Sequence, residues 1–312
     1  NYADPTGGFY DVARSRQWET LTIAPTRISS DDALPADNAL LALAAWEYAQ
    51  ATGDTRWQER ALQLAQIIAG DYEADEPLSY AGYIMLLTAM QKTLLGRTNR
   101  YVYPVWARGN LSGAGSAEER AERLMHALLE SPIETLDITP APALWGRFLR
   151  EVENTLQVVV ASPVNLLLQA SDARVAANLI QSHLIETLCA IGREHIDYYF
   201  LSLHESPTEA QLSGALEALE IARQEGQVGA TGVAAWGAPL AMLALWRSHD
   251  AFEVAMLPRE ADALQTLLPE ARARRAGVII PTDTPHEAFQ HGAQVALLSA
   301  SQAIELTQNK TG

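Results

Sequence analysis

Lysine is almost missing from this sequence: it occurs only at Lys92 and Lys310, and arginine supplies every other permanent cation. Chemistry that needs a lysine ammonium anywhere between those positions is excluded. Cysteine is limited to Cys189, which rules out an internal disulfide. It lies in the apolar helical stretch His183 to Ile191 and reads as a plain buried thiol. Basic groups are scarce overall, 22 Lys and Arg against 38 Asp and Glu, for a formal charge of -16. A body so acidic, with no basic stripe, repels phosphate backbones and anionic head groups, so nucleic acid and membrane surfaces are not expected partners. No apolar run reaches the roughly 18 residues that a spanning helix needs, and Asn1 to Pro5 carry neither the basic nor the apolar part of a leader. The expectation is a soluble protein without membrane insertion, cytoplasmic rather than exported.

What is present is apolar material in two rhythms. With 312 residues, 48% of them hydrophobic and 19% charged, the chain can bury more than one core, and two domains are expected, 1–98 and 99–312. Asp4 to Asp11 has turn chemistry, Leu21 to Ile28 reads as extended, and helical segments follow at Asn38 to Ala51, Arg56 to Ala69 and Ser79 to Leu95. Thr52-Gly-Asp54, Gly70 and Gly96 stop them. Helix, short turn, helix predicts antiparallel hairpins, which bury an apolar face only against further hairpins. The first domain therefore reads as the tail of a larger array that the chain enters midway.

From about residue 101 the pattern changes to short β-rich runs alternating with helices. Strands are predicted at Val102 to Ala107, Glu134 to Thr139, Leu156 to Ala161, Asp197 to Leu203, Val228 to Val233, Phe252 to Leu257, Gly277 to Pro281 and Gln294 to Ser299. Most are rich in Val, Ile and Leu, as parallel strands buried on both faces should be. The alternation predicts an α/β fold, a short TIM-type (β/α)8 barrel, with a doubly wound sheet as the alternative.

The wording of particular stretches then bears on family. Ser182 to Leu201 and Ala215 to Val233 resemble the third helix, fourth strand, fourth helix and fifth strand of the aldo-keto reductases. Ala117 to Glu130 with Glu134 to Thr139 is similar to that family's first helix and second strand, and Val295 to Gln302 to its eighth strand running into a final helix. In the first domain, Gly7-Gly-Phe-Tyr-Asp11, Leu34 to Leu43 and Ala51 to Ala61 resemble the last hairpins of the α/α-toroid of thioredoxin-domain proteins of the spermatogenesis-associated type. That resemblance implies a thioredoxin-like and toroid portion upstream, or a protein partner supplying it.

The reductase resemblance implies a reaction that moves a hydride from NADPH to a carbonyl carbon. In it a tyrosine donates the proton, a lysine paired to an aspartate tunes that tyrosine, and a histidine orients the substrate. Asp137 matches the aspartate. The tyrosine would follow about five residues later, where Thr139 to Gly146 contains none. Pro163 stands at the lysine's place, and no alignment can supply a lysine there. The histidine's position falls on Ser202, with His204 two residues on and of the same strand parity. The polar pair that holds the nicotinamide amide is replaced by Ala234-Ala235, its stacking tyrosine by Leu257 to Glu260, and the cofactor-cradling segment by the short Thr282 to Gly292. Basic residues for the cofactor's 2′-phosphate are not evident in Ala300 to Glu305. NADPH binding is expected to be lost and no other cofactor is expected.

Other candidates have blander readings. Arg108 is a candidate donor to a buried Asp137. Trp145 and Trp236, expected on loops over the barrel mouth, together with Ser202 and Thr282, form the expected pocket. His286 and His291 with Asp283 and Glu287 lack the spacing that puts two imidazoles on one helix face, so no metal is expected. Arg272 to Arg275 reads as a solvated helix end, and Gly113-Ala-Gly115 as a turn. The chain is read as a catalytically degenerate aldo-keto-reductase-like protein, a pseudoenzyme by this count, acting as a structural or interaction module in a larger assembly. The alternative is an enzyme with altered chemistry that uses Asp137 and His204 on an unknown small molecule.

Overall fold

The computed structural model describes residues 37–71, 91–111, 115–152 and 156–308. The sequence expectations for 4–11, 21–28, 79–90 and 113–114 lie outside them. The chain divides into two compact units, Asn1–Thr93 and Leu94–Gly312.

In the first unit, α1 (Asp37–Thr52) and α2 (Thr55–Asp71) form a helical hairpin. Gly53 ends α1 in the left-handed region (φ 72°), where a side chain would strain the backbone. Asp54 then takes the Arg56 N–H at 3.1 Å and the Arg56 guanidinium at 2.7 Å, which starts α2. Ala45 and Trp46 of α1 pack with Ala61 of α2, and Ala42, Leu64 and Ile68 are also buried. Leu40, Leu41, Tyr48, Trp57 and Leu62 are exposed.

The second unit opens with a small ribbon, β1 (Thr93–Leu94) against β2 (Tyr101–Val102). The helix expected to run to Leu95 thus does not include residues from Gln91 onward. Eight parallel strands follow: β3 (Val105–Arg108), β4 (Thr135–Asp137), β5 (Gln157–Ala161), β6 (Ile196–Leu203), β7 (Val228–Ala235), β8 (Val254–Met256), β9 (Gly277–Pro281) and β10 (Val295–Ser299). They close into a barrel with β10 hydrogen-bonded to both β9 and β3, which excludes the doubly wound alternative. The single strand expected over Val102 to Ala107 is two, interrupted where Pro104 has no N–H to offer a ladder.

Between the strands run α3 (Ala117–Leu129), α4 (Pro142–Leu149), α5 (Ala173–Ile191), α6 (Glu209–Gln224), α7 (Pro239–Ser248), α8 (Ala261–Ala273) and the short α9 (Pro285–Gln290), with α10 (Ala300–Gln308) last. Capping boxes at Ser116 with Glu119 and at Thr208 with Gln211 start α3 and α6. Alternate strand residues serve two cores. Val158, Val160, Tyr199 and Leu201 face the helices, whereas Trp106, Val159, Tyr198, Phe200 and Ile279 fill the barrel. Cys189 is exposed, which corrects the buried thiol expected from sequence: α5 buries Leu184, Thr187 and Ile191, and two residues beyond Thr187 the helix has turned about 200° away. Arg274 is not a solvated cation either, since Glu270 and Asp250 hold it at 2.8 and 3.2 Å.

The floor of the barrel is sealed from below. Leu95 and Val102, both fully buried, join the interior cluster from the β1–β2 ribbon. The ribbon's turn sits so close to β9 that a Cβ on Gly96 would lie 2.0 Å from the Gly277 nitrogen. Beside this floor, Asp197 accepts the Val158 N–H at 2.8 Å and faces Arg100 at 3.5 Å and His195 Nε2 at 3.7 Å. His195 Nδ1 lies 2.7 Å from the Gly226 carbonyl oxygen. Asp197 raises the His195 pKa above its ordinary value, against a smaller opposing effect of burial.

Two outcomes are expected. Leu95→Ala removes a filled plug and should destabilise by about 2–5 kcal/mol in urea unfolding, whereas Leu129→Ala, at an exposed site, should change little. Because His195 is raised in the folded state, its contribution is complete below its unfolded pKa of about 6.5 and disappears as pH rises through the folded value. Urea midpoints taken from pH 6 to 8.5 should therefore fall more steeply in the parent protein than in His195→Gln, and parallel curves would refute the assignment.

Candidate functional site

The carboxyl ends of the strands carry the polar residues of the barrel. Arg108 and Asp137 are the last residues of β3 and β4, and the ladder pairs them directly; Ser299 at the end of β10 is the ladder partner of Arg108 on its other side. All three share the inward parity of Trp106, Thr135 and Leu297. Asp137 is 1% exposed, and both its oxygens are matched: Oδ2 accepts from Arg108 Nε at 3.1 Å and Oδ1 from the Thr139 N–H at 3.0 Å.

Above this pair lies a cavity of about 650 Å³. Arg108, Asn110, His204, Trp236, Thr282 and Ser299 line it, as do Pro239, Pro258, Pro281 and Leu297. Arg259, Glu260, Asp262, Asp283 and Gln302, with Gly237 and Ala263, form the remaining wall. Asp137 does not line it. The group presented to the cavity is the guanidinium that covers Asp137.

The sequence-predicted residues separate accordingly. His204 is the first residue past β6, exposed, and on the cavity wall. Ser202 is buried one layer below it, where its N–H donates to Ser162 Oγ at 3.0 Å, and it does not reach the cavity. Trp236 follows β7, half-buried, with its N–H bonded to the Leu203 carbonyl at 2.9 Å. Thr282 is buried at the cavity edge and donates to Glu287 at 2.7 Å.

Trp145 departs from expectation. It belongs to α4, not to a loop, is fully buried in the layer between helices and strands, and lines no part of the cavity. Pro142 at the first turn starts a helix directly after β4, and the spacing 142, 145, 149 turns the indole inward. Its Nε1 donates to the Gly109 carbonyl at 3.0 Å, and a Cβ on Gly109 would lie 2.4 Å from that nitrogen. Trp145 therefore fixes the backbone that carries Arg108 and Asn110.

Sequence reasoning missed most of the remaining wall. Asn110 Oδ1 accepts the Ala300 N–H at 3.1 Å, and Gln302 closes a reciprocal turn with Ser299 before donating to Asp283 at 2.9 Å. Arg259 pairs with the same Asp283 at 2.9 Å. Arg108, expected from its place near the end of the first barrel strand as a donor to Asp137, does bind it at 3.1 Å; only parity at a strand end could have flagged Ser299, and nothing local marks Arg259 or Gln302 as neighbours. Among the described residues there is no cluster of three or more His, Cys, Asp or Glu suited to a metal ion, and no helix is long and apolar enough to cross a membrane.

No family model matches the chain, and no curated protein does. Solved structures do. A candidate aldo-keto reductase from Pseudomonas aeruginosa superposes with a TM-score of 0.56 at 17% identity, covering 71% of this chain and 94% of that one. The apo form of an aldo-keto reductase from Bacillus halodurans gives a TM-score of 0.52 at 16% identity, covering 70% and 89%. At such identities the likeness is one of fold: the second unit is an aldo-keto-reductase-like (β/α)8 barrel.

Removing Arg108 leaves a buried carboxylate facing an apolar layer. Arg108→Met should destabilise by about 3 kcal/mol, and the double variant Arg108→Met/Asp137→Asn by clearly less, because it no longer buries an unmatched charge. Chemical unfolding of both variants measures this, and additive or greater losses would mean that the two residues act independently.

Proposed function

We propose that this chain is a catalytically degenerate relative of the aldo-keto reductases whose barrel serves as a structural or interaction module. The observation that carries the reading is the state of Asp137. Its carboxylate is bound by an arginine, and neither a tyrosine nor a lysine lines the cavity above it. A guanidinium stays protonated throughout the physiological range, so it cannot exchange the proton that carbonyl reduction requires.

Loss of NADPH follows from the same wall. Ala234 and Ala235 are buried methyl groups where a nicotinamide amide would need donors and acceptors. Of the two cavity arginines, Arg259 is already paired with Asp283, and Glu260 and Asp262 add negative charge where a dinucleotide would bring more. The residues present do not fit that cofactor.

The module reading extends to the first unit, taken as the end of an α/α-toroid. Its exposed Leu40, Leu41, Trp57 and Leu62 are side chains that further helical hairpins would cover, from a thioredoxin-type upstream portion or a protein partner. The competing reading, an enzyme of altered chemistry using Asp137 and His204, draws support from His204 alone, because Asp137 lies beneath Arg108.

Titration with NADPH while tryptophan fluorescence is followed should give no saturable response in the micromolar range, and aldehyde and ketone panels should show no NADPH oxidation. A saturable response overturns the cofactor argument. Turnover on any substrate that disappears in His204→Ala would move the assignment to the competing reading. Native mass spectrometry should find the protein in an assembly larger than one chain, and a strictly solitary chain counts against the module.

A further inference from the structure

We propose that the cavity at the barrel mouth is a receptor for a small monocarboxylate with an apolar body, held by the free edge of the Arg108 guanidinium. This goes beyond the loss of reductase chemistry and does not depend on it.

The starting point is an incompletely used cation. Arg108 donates through Nε to Asp137, which fixes the plane of the guanidinium, and neither Nη nitrogen bonds another described residue. The side chain is 36% exposed, and the space it faces is the cavity of about 650 Å³. A guanidinium fixed at one nitrogen by a buried carboxylate presents its other donors as a flat fork. The matching partner is a planar acceptor with two oxygens.

The walls restrict that partner further. Asn110 binds the Ala300 N–H through Oδ1, so its amide nitrogen remains a donor beside Arg108. The first turn of α10 begins in the same region, with its Ala300 and Gln302 N–H groups already taken by Asn110 Oδ1 and Ser299 Oγ. Across the barrel from β3, after β7 and β8, the lining includes Trp236, Pro239 and Pro258, and Pro281 and Leu297 extend it along β9 and β10 on the side of Arg108, together an apolar surface suited to an aryl or alkyl group. Glu260 and Asp262 lie on the same cavity without an ion-pair partner among the described residues, and they oppose a second negative charge on the ligand. One arginine edge, an aromatic wall and an acidic rim together select a monoanion with an apolar body over phosphate or a nucleotide.

Isothermal titration of the full chain with benzoate, its neutral isostere benzamide and inorganic phosphate tests the proposal. Benzoate should bind saturably and at least about tenfold more tightly than benzamide, the difference made by one charge-assisted bidentate contact, and phosphate should bind more weakly than benzoate. Binding should be lost in Arg108→Gln/Asp137→Asn, a pair that avoids burying an unmatched carboxylate, and weakened several-fold in Trp236→Ala, which alters only the half-buried wall. Equal affinity for benzoate and benzamide, tighter binding of phosphate, retention of benzoate binding in the double variant, or no heat with benzoate at millimolar concentration would each overturn it.

Discussion

A carboxylate buried at the end of a closed barrel has to be matched, and in this protein Arg108 does the matching. Closure leaves no sheet edge, so every inward side chain is enclosed by its neighbours on adjacent strands. Below the mouth this enclosure is filled by Trp106, Tyr198, Phe200 and Ile279. At the last layer it reaches Asp137, 1% exposed, and the ladder sets Arg108 beside it. The rest of the mouth follows from that pair. Gly109 must be bare because Trp145 packs against it, Asn110 follows as a donor beside the guanidinium, and Ser299 flanks Arg108 on the other strand.

Much of the barrel was legible in the sequence because a buried parallel strand has a signature that tertiary context reinforces. Gly277–Pro281 matches its expected bounds, and the other seven predicted barrel strands lie within a few residues of theirs. Failures occur where one-dimensional periodicity says nothing about direction. Cys189 sits in an apolar helix, and the sequence suggested burial, yet its face is set by the angular step from Thr187. Trp145 was expected on a loop, whereas Pro142 occupies the first turn of a helix, a position that tolerates proline, and that helix carries Trp145.

The site was less legible than the fold for a related reason. Asp137 and His204 could be named from their places in strands, and strand parity put His204 on the mouth. Arg108, 29 residues earlier in the chain, could also be named as the donor to Asp137, but that this pair leaves Asp137 outside the cavity lining shows only in the structure. The wall made by Asn110, Arg259 and Gln302 depends on contacts between loops that no local pattern encodes. Fold reading draws on patterns repeated around the barrel, whereas the mouth is made of single contacts.

The cation beside Asp137 is an arginine, and its chemistry differs from that of a lysine. An ammonium beside Asp137 would be a compact charge able to lose a proton and to tune a neighbouring acid. A guanidinium in that neighbourhood keeps its proton and cannot serve as base or relay. What it offers is geometry: five donors in a plane, one of them, Nε, committed to Asp137 and the rest directed toward a cavity with an aromatic wall. The barrel's architecture asks only that Asp137 have a matched positive donor, and Arg108 supplies it.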